Sequence, residues 1–95
     1  MRVEIYLIGP PLRAPVAIGI ARSATDRWRF LQSVSKIELR LHDFARLTPA
    51  DASRLMGLLH ATLRPYHLGG ERFDLAPAHA QRVFRAAIEA LQDAA

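Results

Sequence analysis

The sequence predicts an α+β fold, a two-layer sandwich in which two C-terminal helices cover one face of a mainly antiparallel sheet of three to four strands. Apolar residues alternate with polar ones through much of the first 42 residues, and after residue 48 they recur every three to four positions. The chain has 95 residues, of which 51% are hydrophobic and 23% charged. This size and composition are typical of one globular domain, residues 1–95.

The first two predicted strands are residues 2–8 and 15–21. Odd positions of the first strand are apolar, so we expect them to face the helices and the even positions to face solvent. That outward row comprises Arg2, Glu4 and Tyr6. The second strand has a β-branched row opposite a row of small residues, which lets another group pack closely against it.

The third predicted strand is residues 27–32, within a segment that also has features of a helix. As a strand, it places Trp28 and Phe30 inward and the adjacent arginines outward. As a helix, it begins at Ser23 with Asp26 in its first turn. We favour the strand, and a helix would instead bring basic and aromatic side chains side by side. Residues 36–42 alternate again and form the fourth predicted strand.

Two helices are predicted at residues 49–64 and 77–93. Thr48 is the expected N-cap of the first, with Pro49 in its first turn. The connector between the helices contains Gly69 and Gly70, which indicate the turn of a short hairpin.

The charge of the chain is concentrated in its first half. The net charge is +4, and residues 1–46 carry eight basic and four acidic groups, whereas the remainder is balanced. Twelve of the thirteen basic residues are arginine, which is typical of a GC-rich, bacterial-like composition. The chain has no cysteine, no signal-peptide core after Met1 and no apolar run long enough to span a bilayer. We therefore expect a cytoplasmic protein without membrane association.

A nucleic-acid surface is one functional hypothesis, because arginines with interspersed aromatics bind phosphates and bases. The basic outward row of the sheet is its candidate surface. The residues of this row are Arg2, Arg27, Arg29, Lys36 and Arg40. In the strand interpretation Trp28 and Phe30 face away from these arginines, which weakens this hypothesis.

The connector, residues 65–77, is the other candidate site, since function tends to lie on loops held by a scaffold. It contains the densest group of chemically capable side chains in the chain. They are Tyr66, His67, Glu71 and Arg72. The four histidines lack the spacing of a metal site, and the sequence contains no nucleophile beside a base and no phosphate-binding loop.

These observations favour a small, non-catalytic binding or regulatory module that acts through protein contacts. Free sheet edges invite pairing with a second copy, so we expect a homodimer. Nucleic-acid binding is the first alternative, and a small enzyme with its site in the connector is the second. We predict no metal or cofactor.

Overall fold

The computed structural model describes residues 1–93 and confirms the α+β class. Its elements follow the order β1, β2, α1, β3, α2, β4, β5, α3. Their bounds are Val3–Gly9 (β1), Val16–Ala21 (β2), Ala24–Val34 (α1), Arg40–Leu47 (β3), Pro49–Thr62 (α2), His67–Gly69 (β4), Arg72–Phe73 (β5) and Pro77–Asp93 (α3). A 3-10 turn, Arg64–Tyr66, joins α2 to β4.

The five strands form one antiparallel sheet in the order β3-β1-β2-β5-β4. The interior strand β1, between β3 and β2, is buried along almost its whole length. Odd positions of β1, such as Ile5 and Leu7, pack against α2 and α3. The stripes of these helices, including Leu55, Leu59 and Phe84, complete the main core, as the sequence predicts.

The capping signals of α2 and the hairpin are both confirmed. The Thr48 side chain accepts from the amide of Asp51 at the start of α2. Gly69 and Gly70 have φ of +116° and +53°, which only glycine adopts readily, and they carry the turn between β4 and β5.

The strand predicted at residues 27–32 is wrong, because this segment lies within helix α1. Ser23 caps the helix by accepting from the amide of Asp26, at 3.1 Å. Helix α1 packs on the second face of the sheet, so helices lie on both faces and not on one alone. The outward row predicted for β1 is therefore also wrong at Tyr6, which is buried against Ala24 and the half-buried Trp28.

Glu4 is likewise buried, although the alternation predicts it in solvent. Its carboxylate accepts from the backbone amide of Ala24 at 2.7 Å. The negative charge thus lies at the N-terminus of α1, where it accepts a hydrogen bond from a free amide and interacts favourably with the positive end of the helix dipole. Arg46 lies 3.5 Å from the same carboxylate.

The strand predicted at residues 36–42 begins later and extends further, as β3. Residues 36–39 form a loop, and the register between β1 and β3 shifts by one residue at His42. This bulge reverses which face of the sheet the alternate side chains of β3 point to, so the alternation predicted through residues 36–42 does not hold. The ring of His42 instead turns to the carbonyl of Pro10, 2.8 Å away.

Side chains occupy the middle of the outer edge of β3. The Phe44 amide donates to Asp43 Oδ1 at 2.9 Å, and the His42 carbonyl accepts from Gln81 Nε2 at 3.1 Å. Asp43 is in turn held by the Arg85 guanidinium, with Nε 2.7 Å from Oδ2. Two main-chain groups that a pairing strand needs are therefore already engaged. The other edge strand, β4, has only three residues.

Among residues 1–93, no helix combines the length and apolar content that a bilayer crossing requires.

Candidate functional site

A cleft of about 330 Å³ lies between α1 and the face of the sheet that α1 covers. Its walls are largely aliphatic, and its mouth carries three charged side chains, one from α1 and two from the β4–β5 hairpin. The aliphatic lining includes Ile8, Ala17, Leu31, Ile37 and Leu39. The charged residues are Arg27, Glu71 and Arg72. A mainly apolar concavity with a few polar groups is the usual form of a ligand site.

A short chain of hydrogen bonds fixes the charged groups at this mouth. Arg27 Nε donates to the Tyr6 hydroxyl at 3.3 Å, and that hydroxyl donates to Glu71 Oε1 at 2.6 Å. Arg27 Nη2 also lies 4.0 Å from Glu71 Oε1. Because a hydroxyl has one proton and two lone pairs, Tyr6 serves both neighbours at once. The buried phenol thus orients an arginine of α1 and a glutamate of the hairpin.

Gly19 provides the space in which the side chains of Tyr6 and Glu71 meet. It lies opposite Tyr6 in the β1–β2 register. A Cβ at this position would lie 2.5 Å from Glu71 Oε2 and closer still to the Tyr6 hydroxyl. The absence of a side chain, rather than an unusual backbone angle, is what the site requires here.

Burial, together with the hydrogen bond to the Glu71 carboxylate, raises the pKa of Tyr6 to about 12, against the opposing effect of Arg27. The hydrogen bond to Tyr6 raises the pKa of Arg27 above its ordinary value. At neutral pH the phenol is therefore a donor and the guanidinium a cation. Tyr6 does not supply a base under these conditions.

The raised pKa of Tyr6 predicts a loss of stability at alkaline pH. The folded value of about 12 exceeds the ordinary value of 10, so the contribution is complete below pH 10 and disappears as pH rises through 12. We expect the free energy of unfolding to fall by about 1–3 kcal/mol more in the wild type than in Tyr6→Phe across this interval. Urea titrations at successive pH values measure this difference. If the free energy of unfolding fell equally with pH in the wild type and in Tyr6→Phe, the assignment would be contradicted. Tyr66→Phe is the control and should behave as the wild type does.

The loop that forms the outer wall of the cleft is held by side chains of α1. Gln32 Nε2 donates to the Ile37 carbonyl at 3.0 Å, and Gln32 Oε1 accepts from the Leu39 amide at 2.7 Å. Trp28 Nε1 donates to the Leu39 carbonyl at 2.8 Å. These contacts replace the strand pairing that residues 37–39 lack, and they position Ile37 and Leu39 in the cleft.

The residues predicted for a nucleic-acid surface do not form one row on the sheet. Arg27 and Arg29 lie on α1, Arg40 begins β3, and Arg2 and Lys36 are exposed outside the strands. Arg29 lies 3.7 Å from Asp26, and Arg40 lies 2.9 Å from Glu38. Phe30, predicted inward, is 57% exposed, and the Arg27 guanidinium lies 5.7 Å from its ring centroid.

The four residues of the predicted connector site separate into two places. Glu71 and Arg72 line the cleft with Arg27. His67 packs instead against His60 and Phe73, with ring centroids 5.1 Å from each, and Tyr66 contacts the ring of His79. Within residues 1–93, no three metal-binding side chains come together.

Tyr6 and Gly19 are the site residues that sequence reasoning does not identify. The row of small residues on β2 indicates that another group packs closely there, and that group is the Tyr6 side chain.

No family model, curated protein or solved structure matches this chain.

Proposed function

We propose that this protein binds single-stranded nucleic acid, without catalysing a reaction, on the surface formed by α1 and the mouth of the cleft. The observation that carries the proposal is the exposed ring of Phe30 beside the Arg27 guanidinium on one helix. Exposed rings stack on bases and neighbouring arginines contact phosphates, which is how sequence-tolerant single-strand binding arises. Because residues 24–34 are helical, Arg27 and Phe30 lie side by side, which supports a binding surface on α1 rather than on the outward row of the sheet.

The distribution of charge supports the same surface. Residues 22–40 carry five basic and two acidic groups, whereas α2 and α3 each carry equal numbers of both. The ion pairs of Arg29 and Arg40 are exposed surface pairs. Such pairs contribute about 0–1 kcal/mol, so phosphates compete with them at little cost. The positive face therefore surrounds Phe30 and leaves the helical layer on the opposite side neutral.

Phe30→Ala is expected to weaken binding of a fluorescein-labelled single-stranded oligothymidylate by roughly 5- to 150-fold, because base–aromatic stacking contributes about 1–3 kcal/mol. Fluorescence anisotropy at about 50 mM salt measures the affinity. Leu58→Ala is the matched control, because Leu58 is an exposed apolar residue on α2.

The same assay separates stacking from charge. Affinity should fall as salt rises, and Arg29→Gln and Lys36→Gln should each reduce the slope of log K against log salt by about one or less. Absence of binding at low salt would refute the proposed function.

A protein-binding module, including a homodimer, is the second candidate function. Leu12 is 88% exposed and Ile37 43% exposed, and the two side chains line one surface cavity. Exposed apolar residues grouped in this way are typical of protein contacts. Because the β3 edge is occupied at its middle, this patch is the better surface for self-association. Sedimentation velocity at micromolar concentration tests it, and a strictly monomeric species would exclude the homodimer.

A further inference from the structure

We infer that the cleft holds one unpaired base of the bound strand, and that the exocyclic amino group of that base donates to the Glu71 carboxylate. The inference rests on the proposed function and names the part of the nucleic acid that the cleft recognises. It assigns to the cleft a preference among bases, which stacking on Phe30 alone does not provide.

The walls of the cleft suit the faces of a base. Ile8 and Ala17 come from the sheet, Leu31 from α1, and Ile37 and Leu39 from the loop held by Gln32. Enzymes that extrude bases enclose them between apolar or aromatic side chains and read them through hydrogen bonds at the edge. A volume of about 330 Å³ lies at the lower end of the range for small-ligand sites. The cleft therefore fits a single base rather than a longer segment.

The polar groups at the mouth determine which base is favoured. Glu71 Oε1 accepts from Tyr6, so the carboxylate is held in place, and the Glu71 side chain remains 45% exposed. An ionised carboxylate is an acceptor only, with about four lone-pair positions. It therefore accepts from the amino group of cytosine and faces the carbonyl oxygen that thymine carries at the same position. The expected preference is for bases with an exocyclic amine.

Two arginines at the mouth are placed to contact the flanking phosphates. Arg27 is oriented by Tyr6, and Arg72 adjoins Glu71 on β5. Within the described part of the chain, no carboxylate lies within 4.0 Å of the Arg72 guanidinium. The cleft thus combines an acceptor for the base with cations for the backbone.

The test compares single-stranded oligocytidylate with oligothymidylate of equal length by fluorescence anisotropy at pH 7.5, where cytosine is unprotonated. The wild type is expected to bind the cytosine strand about tenfold more tightly, as expected for one specific hydrogen bond to a base edge. Glu71→Gln should reduce this preference to twofold or less, because the amide presents a donor as well as an acceptor. It should leave binding of the thymine strand within threefold of the wild type or tighter.

Glu89→Gln is the matched control, because Glu89 is an exposed glutamate on α3, away from this cleft, and it should retain the preference. Far-ultraviolet circular dichroism verifies that the Glu71 variant is folded. Equal binding of both strands by the wild type, or a preference retained in Glu71→Gln, would overturn the inference while the proposed function stands. Failure to bind either strand at low salt would instead refute the proposed function.

Discussion

Gly19→Ala is expected to lower the free energy of unfolding by about 1–3 kcal/mol, the usual cost of inserting a methyl group into a filled site. The new Cβ would overlap the Tyr6 hydroxyl and the Glu71 carboxylate. Glu71 has a flexible side chain and moves away, whereas the buried ring of Tyr6 is rigid. The bond between the two side chains is then lost, and the variant should also lose the preference among bases proposed for the cleft.

Gly57→Ala is the matched control for this experiment. Gly57 lies on the exposed side of α2, and a Cβ there would meet no atom within 4 Å. Alanine is favoured over glycine within helices, so this substitution should raise the free energy of unfolding by roughly 0.5–1 kcal/mol. Urea denaturation measures both variants. The same sign of change for both would contradict the role assigned to the space at Gly19.

Asp43→Ala is expected to destabilise the fold and to make it self-associate. Asp43 is buried, binds the Arg85 guanidinium and accepts from the Phe44 amide. Loss of these bonds should cost about 1–3 kcal/mol in the free energy of unfolding. It also frees a main-chain donor at the middle of an exposed edge strand of eight residues, Arg40–Leu47. Edges of this kind pair with other chains.

Sedimentation velocity and urea denaturation measure the two effects of Asp43→Ala separately. Glu38→Ala is the control for removal of an acidic partner, since its pair with Arg40 is exposed and contributes at most about 1 kcal/mol. We expect this control to remain at the oligomeric state of the wild type. A variant of Asp43 with unchanged stability and unchanged sedimentation would show that the edge needs no such protection.

Local signals predict the α+β class, the two C-terminal helices and the hairpin. Thr48 and Pro49 specify the start of α2, and the paired glycines specify the turn, because each acts on the backbone within a few residues. Tertiary packing decides the rest. Residues 24–34 are amphipathic in either conformation, and a buried position for Tyr6 becomes evident only when α1 is known to cover the second face of the sheet.

The candidate site was predictable only in pieces. Arg27 is identified by its charge, and Glu71 and Arg72 by their place in the connector, but nothing local indicates that they meet. Their meeting depends on the pairing of β5 with β2 beside β1, which is a property of strand order. Tyr6 escapes detection because a tyrosine at an even position of an alternating strand resembles any solvent-facing residue.

The bond from Tyr6 to Glu71 joins positions 65 residues apart, so the site forms only when a long loop of the chain closes. Strands β1, β2 and β3 and helix α1 all lie within the first 47 residues, whereas Glu71 arrives only with the hairpin after α2. Contacts between residues so far apart in sequence cost loop-closure entropy and are associated with slower folding. A nascent chain that ends before residue 71 therefore lacks the site altogether. Any ligand of the cleft binds only the completed fold and should raise its melting temperature increasingly as the ligand concentration exceeds Kd.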